Sequence, residues 1–481
     1  MSTGIKPMGR TVRRFTMADQ LAFAEATGDR NPLHLDAHYA RRTQAGAPVV
    51  HGMHCALWAL EMVFSRPKSH WRPSSISVQF KKFVFLDTDV ELDIECNIET
   101  RTKLIVRRGE TIVCAITMLR NQEAATVDLS RSEGACEGTP SRPRELTCEA
   151  AAGLSGRFCY DDTAATLFPA ASGALGERRI AGLAALSTLV GMVCPGLNSL
   201  FSSFSVVFSN VLGETAPIEW SVVNADSRFQ LLSLSICGPG FLGTVDAFFR
   251  GAPVETASMD ELARLVERDE FVGQRAFVVG GARGLGAAIV KLLAAGGGQV
   301  VFTYASSGAE ANALVSEVAG FGRGSATALE FDARGQPSKA LMVAAKSGLS
   351  HLYYCATPKI FRQIGVGFSP SIFAEFAEIY LDGFANTLRI LASAKTADAP
   401  LTIIFPSTIA IEERPPGLTE YAMAKAAGEV LAADLGLSLG ARVFAPRLPR
   451  MLTDQTNSVP PIPAPSAVDV ILPMLRAAYT R

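Results

Sequence analysis

Histidine is scarce in this chain, with six residues in 481 and none between His70 and His351. Acid–base chemistry that needs an imidazole titrating near neutrality is therefore confined almost wholly to the N-terminal stretch holding His34, His38, His51 and His54. Long uninterrupted apolar runs are missing too. The longest, around Ala181 to Leu197, is broken by Gly182, Gly191, Pro195 and Gly196 and falls short of a membrane span. The start, MSTGIKPMGRTVRRFTM, carries charge with no apolar run behind it and does not read as a signal peptide. Net charge is nearly absent, formally −1 at pH 7, which leaves no electrostatic case for a nucleic-acid partner. Nine cysteines occur without a CxxC pair and in odd number, so reduced, partly buried thiols are expected rather than disulfides or zinc. These absences point to a cytoplasmic enzyme without membrane, nucleic-acid or metal business. With 48% hydrophobic and 19% charged residues over 481 positions, the chain has room for two to four globular domains.

What is present is concentrated in Gly28-Asp29-Arg30-Asn31-Pro32-Leu33-His34, followed by Val50-His51-Gly52-Met53. An acid and a histidine five positions apart, with Gly before them and Asn-Pro between, form a turn that presents two titratable groups together. Removing a proton beside a carbonyl while protonating a departing hydroxyl requires such a pair. The apolar segment ALWALEMVF at 56–64 reads as a buried helix, and its start at Val50 to Met53 would aim free N–H groups at a substrate carbonyl. Gly52 permits the close approach. The plain structural reading is a surface turn in which His34 only makes a local hydrogen bond. His38, His51 and His54 are read as supporting residues, with His51 the least settled of them.

The motif Gly-Asp-x-Asn-Pro-aliphatic-His, with Ala40 as the following small residue, resembles the MaoC-like, R-specific enoyl-thioester hydratase/dehydratase family of the hot-dog fold. The resemblance implies that Asp29 and His34 handle the water added to or lost from the α,β-bond of a thioester, with Asn31 and Gly52 contacting substrate. Residues 1–124 are assigned to this catalytic hot-dog. Alternating runs at 75–86, 90–99, 103–108 and 110–119 read as its antiparallel strands.

Residues 125–150 lose periodicity and read as an extended linker. From 151 to 255, a strand, a helix from about Glu177 to Val193 and four further strand-like runs echo the first unit, giving a second hot-dog half. The fold class is thus an α+β double hot-dog ahead of a further domain. Lacking histidine, the second half cannot repeat the Asp/His chemistry. The resemblance implies that it completes the sheet and shapes the acyl tunnel. A different small α+β domain is the other reading. Residues 256–273 are read as a linker helix, Ser258 capping Asp260 and Glu261 within the amphipathic run Pro253 to Glu270.

From Gln274 the pattern runs strand, glycine turn, helix, strand, with Gly280, Gly284 and Gly286 in the turn. Such a turn lets backbone N–H groups and a helix N-terminus meet a pyrophosphate. Tyr421-Ala-Met-Ala-Lys425 follows, with Ser407 fourteen residues before the tyrosine. Together these resemble the short-chain dehydrogenase/reductase family, an α/β Rossmann fold with a doubly wound parallel sheet, over 274–481. The resemblance implies hydride transfer at a carbonyl carbon. Tyr421 exchanges the proton, Lys425 lowers the tyrosine pKa and binds ribose, Ser407 holds the substrate oxygen, and Asp332 contacts the adenine. The nucleotide is expected against Gly280, Arg283, Gly284, Leu285, Gly286, Tyr304 and Ser306. The second strand ends Tyr304-Ala305-Ser306-Ser307 without a carboxylate, and Arg283 could meet a 2′-phosphate, so NADPH is favoured over NADH. Three positions depart from the family pattern: Cys355-Ala356-Thr357-Pro358 replaces Asn-Ala-Gly, Tyr380 replaces the helical Asn, and Pro446-Arg447 replaces Pro-Gly.

The two chemistries share an intermediate, the 3-hydroxyacyl thioester. The expectation is a bifunctional 3-ketoacyl reductase and (R)-3-hydroxyacyl dehydratase acting on an acyl carrier protein or coenzyme A ester in fatty-acid- or polyketide-like synthesis, as a homodimer. Hydration followed by oxidation, as in β-oxidation, is the alternative, and so is a dehydratase carrying a degenerate nucleotide-binding scaffold.

Overall fold

The computed structural model describes residues 11–66, 72–98, 100–120, 135–209, 217–336, 338–346, 348–361, 367–394 and 401–479. It divides into a unit of Met1–Ala252 with Asn457–Ile462 and a unit of Pro253–Thr456 with Pro463–Arg481. Part of the segment read as a linker, 121–134, lies outside the described residues.

The first unit is one ten-stranded antiparallel sheet wrapped on two helices. Its strands are β1 (Thr11–Arg14), β2 (Ser75–Phe80), β3 (Asp89–Ile98), β4 (Arg101–Arg108), β5 (Thr111–Leu119), β6 (Ser155–Phe158), β7 (Ser199–Phe208), β8 (Ile218–Asp226), β9 (Leu231–Gly238) and β10 (Phe241–Phe249), in the order β1-β3-β4-β5-β2-β7-β10-β9-β8-β6. Each half has a short strand, a central helix and four longer strands in the same connectivity. The seam is the antiparallel pair β2–β7, with Ser77 opposite Ser205. Small polar residues face outward there, while Ile76, Val78, Phe204 and Val206 turn inward. The central helices are Gly52–Phe64 and Glu177–Thr188, the latter continuing as a π-helical turn over Leu189–Val193. Both lie in one apolar core with the inner faces of the strands. The strand expected over 75–86 ends at Phe80; the chain then turns, leaving only a bridge from Phe85 to Val49.

A carboxylate ties the halves together. Glu61, on the first central helix, accepts from the backbone N–H groups of Ala170 (3.0 Å) and Ala171 (2.8 Å), the first turn of the helix Pro169–Leu175. Negative charge at a helix N-terminus is favourable, and the two donors have no partner within that helix. Glu61→Ala is expected to cost about 1–3 kcal/mol, read as a lower urea midpoint, with Glu61→Gln recovering part of the loss.

Cysteine is one correction. Cys136 and Cys159 are joined as a disulfide with Cα atoms 5.8 Å apart, because a backbone pairing of Glu137 with Arg157 and Cys159 sets the two segments side by side. Cys55, Cys114, Cys148, Cys194 and Cys237 are buried thiols.

The second unit carries a six-stranded parallel sheet of β11 (Arg275–Val279), β12 (Gln299–Tyr304), β13 (Ser325–Glu330), β14 (His351–Tyr354), β15 (Thr402–Ile404) and β17 (Arg442–Phe444), in the order β13-β12-β11-β14-β15-β17. Beyond the ends of β15 and β17, β16 (Ser407–Thr408) pairs in parallel with β18 (Arg447–Leu448). Apolar clusters cover both faces of the sheet, one built on the helix Gly284–Ala295 and one on Phe384–Ala394 and Thr419–Leu439. The strand order reverses between β11 and β14, which opens a crevice at their carboxyl ends. The helix expected over 256–273 shrinks to Met259–Leu262, capped reciprocally by Ser258 and Glu261. Val266 and Phe271 both enter the core, and a continued helix would set them about 140° apart.

Candidate active sites

The motif in the first unit folds as the sequence chemistry dictates. The helix Met17–Thr27 ends on Gly28 at φ +82, a left-handed stop at which a Cβ would also meet Thr139 Oγ1 at 2.8 Å. Asn31 then caps the short helix Pro32–Leu35, its Oδ1 accepting from Leu33 N at 3.1 Å. Its Nδ2 donates to the carbonyls of Gly191 (2.9 Å), Gly196 (3.3 Å) and Leu197 (3.2 Å). Its amide nitrogen thus joins the turn to the second half, while its oxygen serves the local cap.

Asp29, His34 and His51 come together, each offering one atom within 4.8 Å of the others. Asp29 and His51 are buried. Ser187 donates to Asp29 Oδ2 at 2.6 Å, and Asn31 N to Oδ1 at 3.2 Å. His34 Nδ1 donates to the carbonyl of Val49 at 2.8 Å, which leaves Nε2 as the free base. The His51 ring stacks on that of His34 with centroids 3.8 Å apart. Burial pushes the Asp29 carboxyl up, and burial pushes the His34 imidazole down against the pull of Asp29. The two neutral forms thus draw closer in energy to the charged ones, which suits a pair that passes protons in both directions. The helix Gly52–Phe64 starts beside them without a side-chain cap, so its first N–H groups, Gly52 among them, have no partner within the helix.

The second half, read as non-catalytic, supplies hydrogen bonds that hold the Asp29 turn. Besides Ser187, Thr188 Oγ1 donates to the carbonyl of Thr27 at 2.8 Å, and Arg250 bonds Tyr39 Oη (2.7 Å) and the carbonyl of Leu197 (2.6 Å). No spacing rule finds Ser187, since it reaches Asp29 across 158 residues of sequence. Gly191 was the available signal. A Cβ there would lie 2.6 Å from Asp29 Oδ1 and 2.9 Å from Oδ2. Gly191→Ala is expected to displace the carboxylate and lower turnover by about 10²-fold, the cost of a displacement near 1 Å at a reacting group, while the KM for substrate changes little. Steady-state kinetics on the purified variant read the split.

In the second unit, β11 leads into Gly280 and Gly281 and then the helix Gly284–Ala295, whose N-cap residue Arg283 gives no side-chain cap. Cβ atoms at Gly280 and Gly286 would meet backbone at 2.9 and 2.2 Å, whereas Gly284, at φ +52, faces open space. This cradle fits a pyrophosphate on the N–H groups of Gly284, Leu285 and Gly286. Tyr304 closes β12, with Ser306 two residues beyond it. Asp332 lies past β13 in a two-pronged pair with Arg334, the closest contact 2.6 Å.

The expected catalytic trio sits on one wall of the crevice with altered contacts. Tyr421 and Lys425 share the helix Thr419–Leu439. Lys425 Nζ donates to the carbonyl of Pro406 at 2.7 Å and lies 4.0 Å from the ring centre of Tyr380. Tyr380 is buried in a π-helical turn over Glu378–Gly383, its hydroxyl 2.5 Å from Thr357 Oγ1. Burial pushes the Tyr421 phenol up, with a hydrogen bond from Thr408 opposing it. The expectation that Lys425 lowers the Tyr421 pKa is therefore corrected, because the ammonium is turned into the Tyr380 and Phe405 rings. Ser407 Oγ donates to Glu429 Oε1 at 2.5 Å, and Arg447 grips the same carboxylate.

Burial lowers Lys425 from its ordinary 10.5 to about 7. The unfolded chain holds a proton that the folded chain releases between those values, so the burial cost is full below pH 7 and fades as pH rises. Compared with Lys425→Met, the native chain is expected to gain stability from about pH 7 to about pH 10. Urea unfolding across that range would show a constant difference if the lysine did not titrate there.

Comparison with known proteins agrees with this division. Residues 2–116 match the MaoC like domain family, and residues 274–453 match the short chain dehydrogenase family. The chain is 46% identical over 44 residues to a 3-hydroxybutyryl-CoA dehydratase of Methylorubrum extorquens, covering 9% of this chain and 28% of that one. It is 35% identical over 92 residues to an (R)-specific enoyl-CoA hydratase of Aeromonas caviae, covering 18% of this chain and 65% of the relative. The chain thus spans less than two thirds of either relative. A dehydrogenase/reductase structure from Sinorhizobium meliloti aligns at 24% identity and a TM-score of 0.36, over 46% of this chain and 91% of that one. Among the described residues no helix is long and apolar enough to cross a membrane. The chain is thus similar to a MaoC like domain over residues 2–116 and to a short chain dehydrogenase over residues 274–453.

Proposed function

We propose that the chain reduces a 3-ketoacyl thioester in its second unit and removes water from the resulting (R)-3-hydroxyacyl thioester in its first. The observation that carries the reading is the meeting of buried Asp29 with partly buried His34 beside the uncapped start of the helix Gly52–Phe64. The helix start receives the thioester carbonyl, whose oxygen gains negative charge as the Cα proton leaves. His34 Nε2, which carries no proton, takes the one from Cα, and the pair returns a proton to the departing hydroxyl, a transfer helped by the burial that raises the Asp29 carboxyl. Joining both units in one chain raises the local concentration of the shared intermediate.

In the second unit a bound nicotinamide, NADPH in this reading, supplies hydride. The glycine cradle at Gly280, Gly284 and Gly286 would hold its pyrophosphate, and Arg283 and Ser306 would meet its 2′-phosphate. Tyr421, kept protonated by burial, is a proton donor at neutral pH. The carrier is an acyl-CoA or an acyl carrier protein, and the pathway is synthetic.

A second reading has its own support. Lys425 is turned to Pro406 and Ser407 to Glu429, which favours a second unit that binds nucleotide without reducing a ketone. Absorbance of NADPH and of NADH, each mixed with protein and a short 3-ketoacyl-CoA, separates the two. Consumption of NADPH in preference to NADH is expected. Tight binding of NADPH without its oxidation would leave the scaffold reading.

A further inference from the structure

Arg250 follows β10, the last strand of the first unit, and is almost completely buried. Its backbone N–H donates to the carbonyl of Asn198 at 2.8 Å. Nη2 donates to the carbonyl of Leu197 and to Tyr39 Oη, while Nε and Nη1 have no partner. Among the described residues no carboxylate pairs with it. Its company is two neutral oxygens and the ring of Tyr39, whose centre lies 5.1 Å from Cζ. An arginine keeps its charge inside a protein, and a charge taken out of water without a counter-ion is costly. The contacts themselves do not call for that cost, since a neutral amide would serve a carbonyl and a phenol as well.

Both contacts lead to the dyad. The carbonyl of Leu197 also accepts from Asn31 Nδ2 at 3.2 Å, so Arg250 and the turn between Asp29 and His34 hang on the same atom. Tyr39 belongs to the helix Ala37–Arg41, the next after the one that carries His34. Three groups set the charge around His34: Asp29 on its own turn, His51 stacked on it from the start of the helix Gly52–Phe64, and Arg250 from the second half. Other charges on the neighbouring elements are turned to water or to one another. Glu25, Arg30, Asp36 and His38 are exposed, Arg41 and Arg42 are partly so, and Asp19 is paired with Arg13. Burial is the largest cause of the lowered His34 pKa; Asp29 opposes it and Arg250 adds to it.

We propose that Arg250 is a positioning residue of the first unit's site, which clamps the Leu197 carbonyl and Tyr39 next to the Asp29–His34 turn and keeps one uncompensated positive charge there, so that His34 remains an unprotonated base. The charge answers a difficulty that Asp29 creates. A carboxylate within 4.8 Å of an imidazole favours the imidazolium, which cannot accept a proton from Cα. Arg250 opposes that pull without bonding either side chain. The consequence for turnover rests on the function proposed for the first unit; the charge beside His34 does not.

Magnetic resonance of the full chain carrying isotope-labelled histidine, with the His34 signal assigned through His34→Gln, reads the charge without any substrate. Arg250→Met is expected to raise the His34 midpoint by about half a pH unit or more, and Arg250→Lys, which keeps a positive charge, by clearly less. In the water-elimination assay the acid limb of kcat/KM should move up by the same amount in Arg250→Met, with kcat lower by about tenfold. Tyr39→Phe, which loosens the clamp and leaves the charge, should lower kcat with the limb in place. Far-ultraviolet circular dichroism checks each variant, and Arg250→Gln carries the test if Arg250→Met does not fold. A His34 midpoint unmoved by loss of the arginine, or moved as far by Arg250→Lys as by Arg250→Met, overturns the proposal. So does a limb that shifts in Tyr39→Phe as it does in Arg250→Met. A midpoint that moves in a chain that never eliminates water keeps the assigned charge and loses the proposed function. Elimination that depends on His34, with a midpoint indifferent to Arg250, does the reverse.

Discussion

His34→Ala is expected to lower kcat/KM for water removal from a 3-hydroxyacyl thioester by roughly 10³-fold, within the span of general acid–base effects, while the unfolding midpoint stays close to that of the parent. The ring is only partly buried and its one fixed bond runs from Nδ1 to Val49 O, so little packing is lost. What goes is the nitrogen that takes the proton. Because burial sets the His34 pKa below its ordinary 6.5, the base form persists below that pH, and the acid limb of the parent's rate profile should fall there. Residual activity in the variant should lose that limb. An unchanged rate in His34→Ala, measured on folded protein, would remove the dyad from the chemistry.

Tyr421→Phe is expected to abolish ketone reduction by roughly 10²- to 10⁴-fold and to leave water elimination untouched. The phenol is kept protonated by burial and contacts Thr408 rather than Lys425. Loss of the hydroxyl removes the proton donor at the wall of the crevice. Nucleotide affinity should be preserved, since the glycine cradle at the start of the helix Gly284–Ala295 is unaffected. Fluorescence titration with NADPH beside the reduction assay reads both. A fall in affinity equal to the fall in rate would mean that Tyr421 serves binding instead.

The two sites differ in how far the sequence discloses them. Asp29 and His34 are legible because the turn that unites them is local: Gly28 stops one helix, Asn31 caps the next, and five residues of chain complete the geometry. Their supports are not local. Ser187, Gly191 and Arg250 reach the site through the second half, which read as catalytically silent because it lacks histidine. The sheet followed from period-two alternation in its long strands, but β1, with four residues, gives too short a run to register. Ser407, Tyr421 and Lys425 were found by spacing, and spacing says nothing of where a side chain turns. Their contacts depend on Tyr380, Glu429 and Arg447, which arrive from other elements. Asn31 is a motif residue whose polarity also serves the fold, which the motif alone does not disclose. The linker helix failed because Val266 and Phe271 must both be buried. The pairing of Cys136 with Cys159 is invisible to residue counting, being set by backbone contacts of Glu137.

Mass spectrometry of the acyl product, after the full chain is mixed with NADPH and a short 3-ketoacyl thioester, bears most directly on the joined two-step chemistry. The 2-enoyl ester is expected from the parent, the 3-hydroxy ester from His34→Ala, and unreacted ketone from Tyr421→Phe. If NADPH is never consumed while a supplied 3-hydroxyacyl ester still loses water in a His34-dependent way, the second unit is not a ketone reductase and the two-step reading is contradicted.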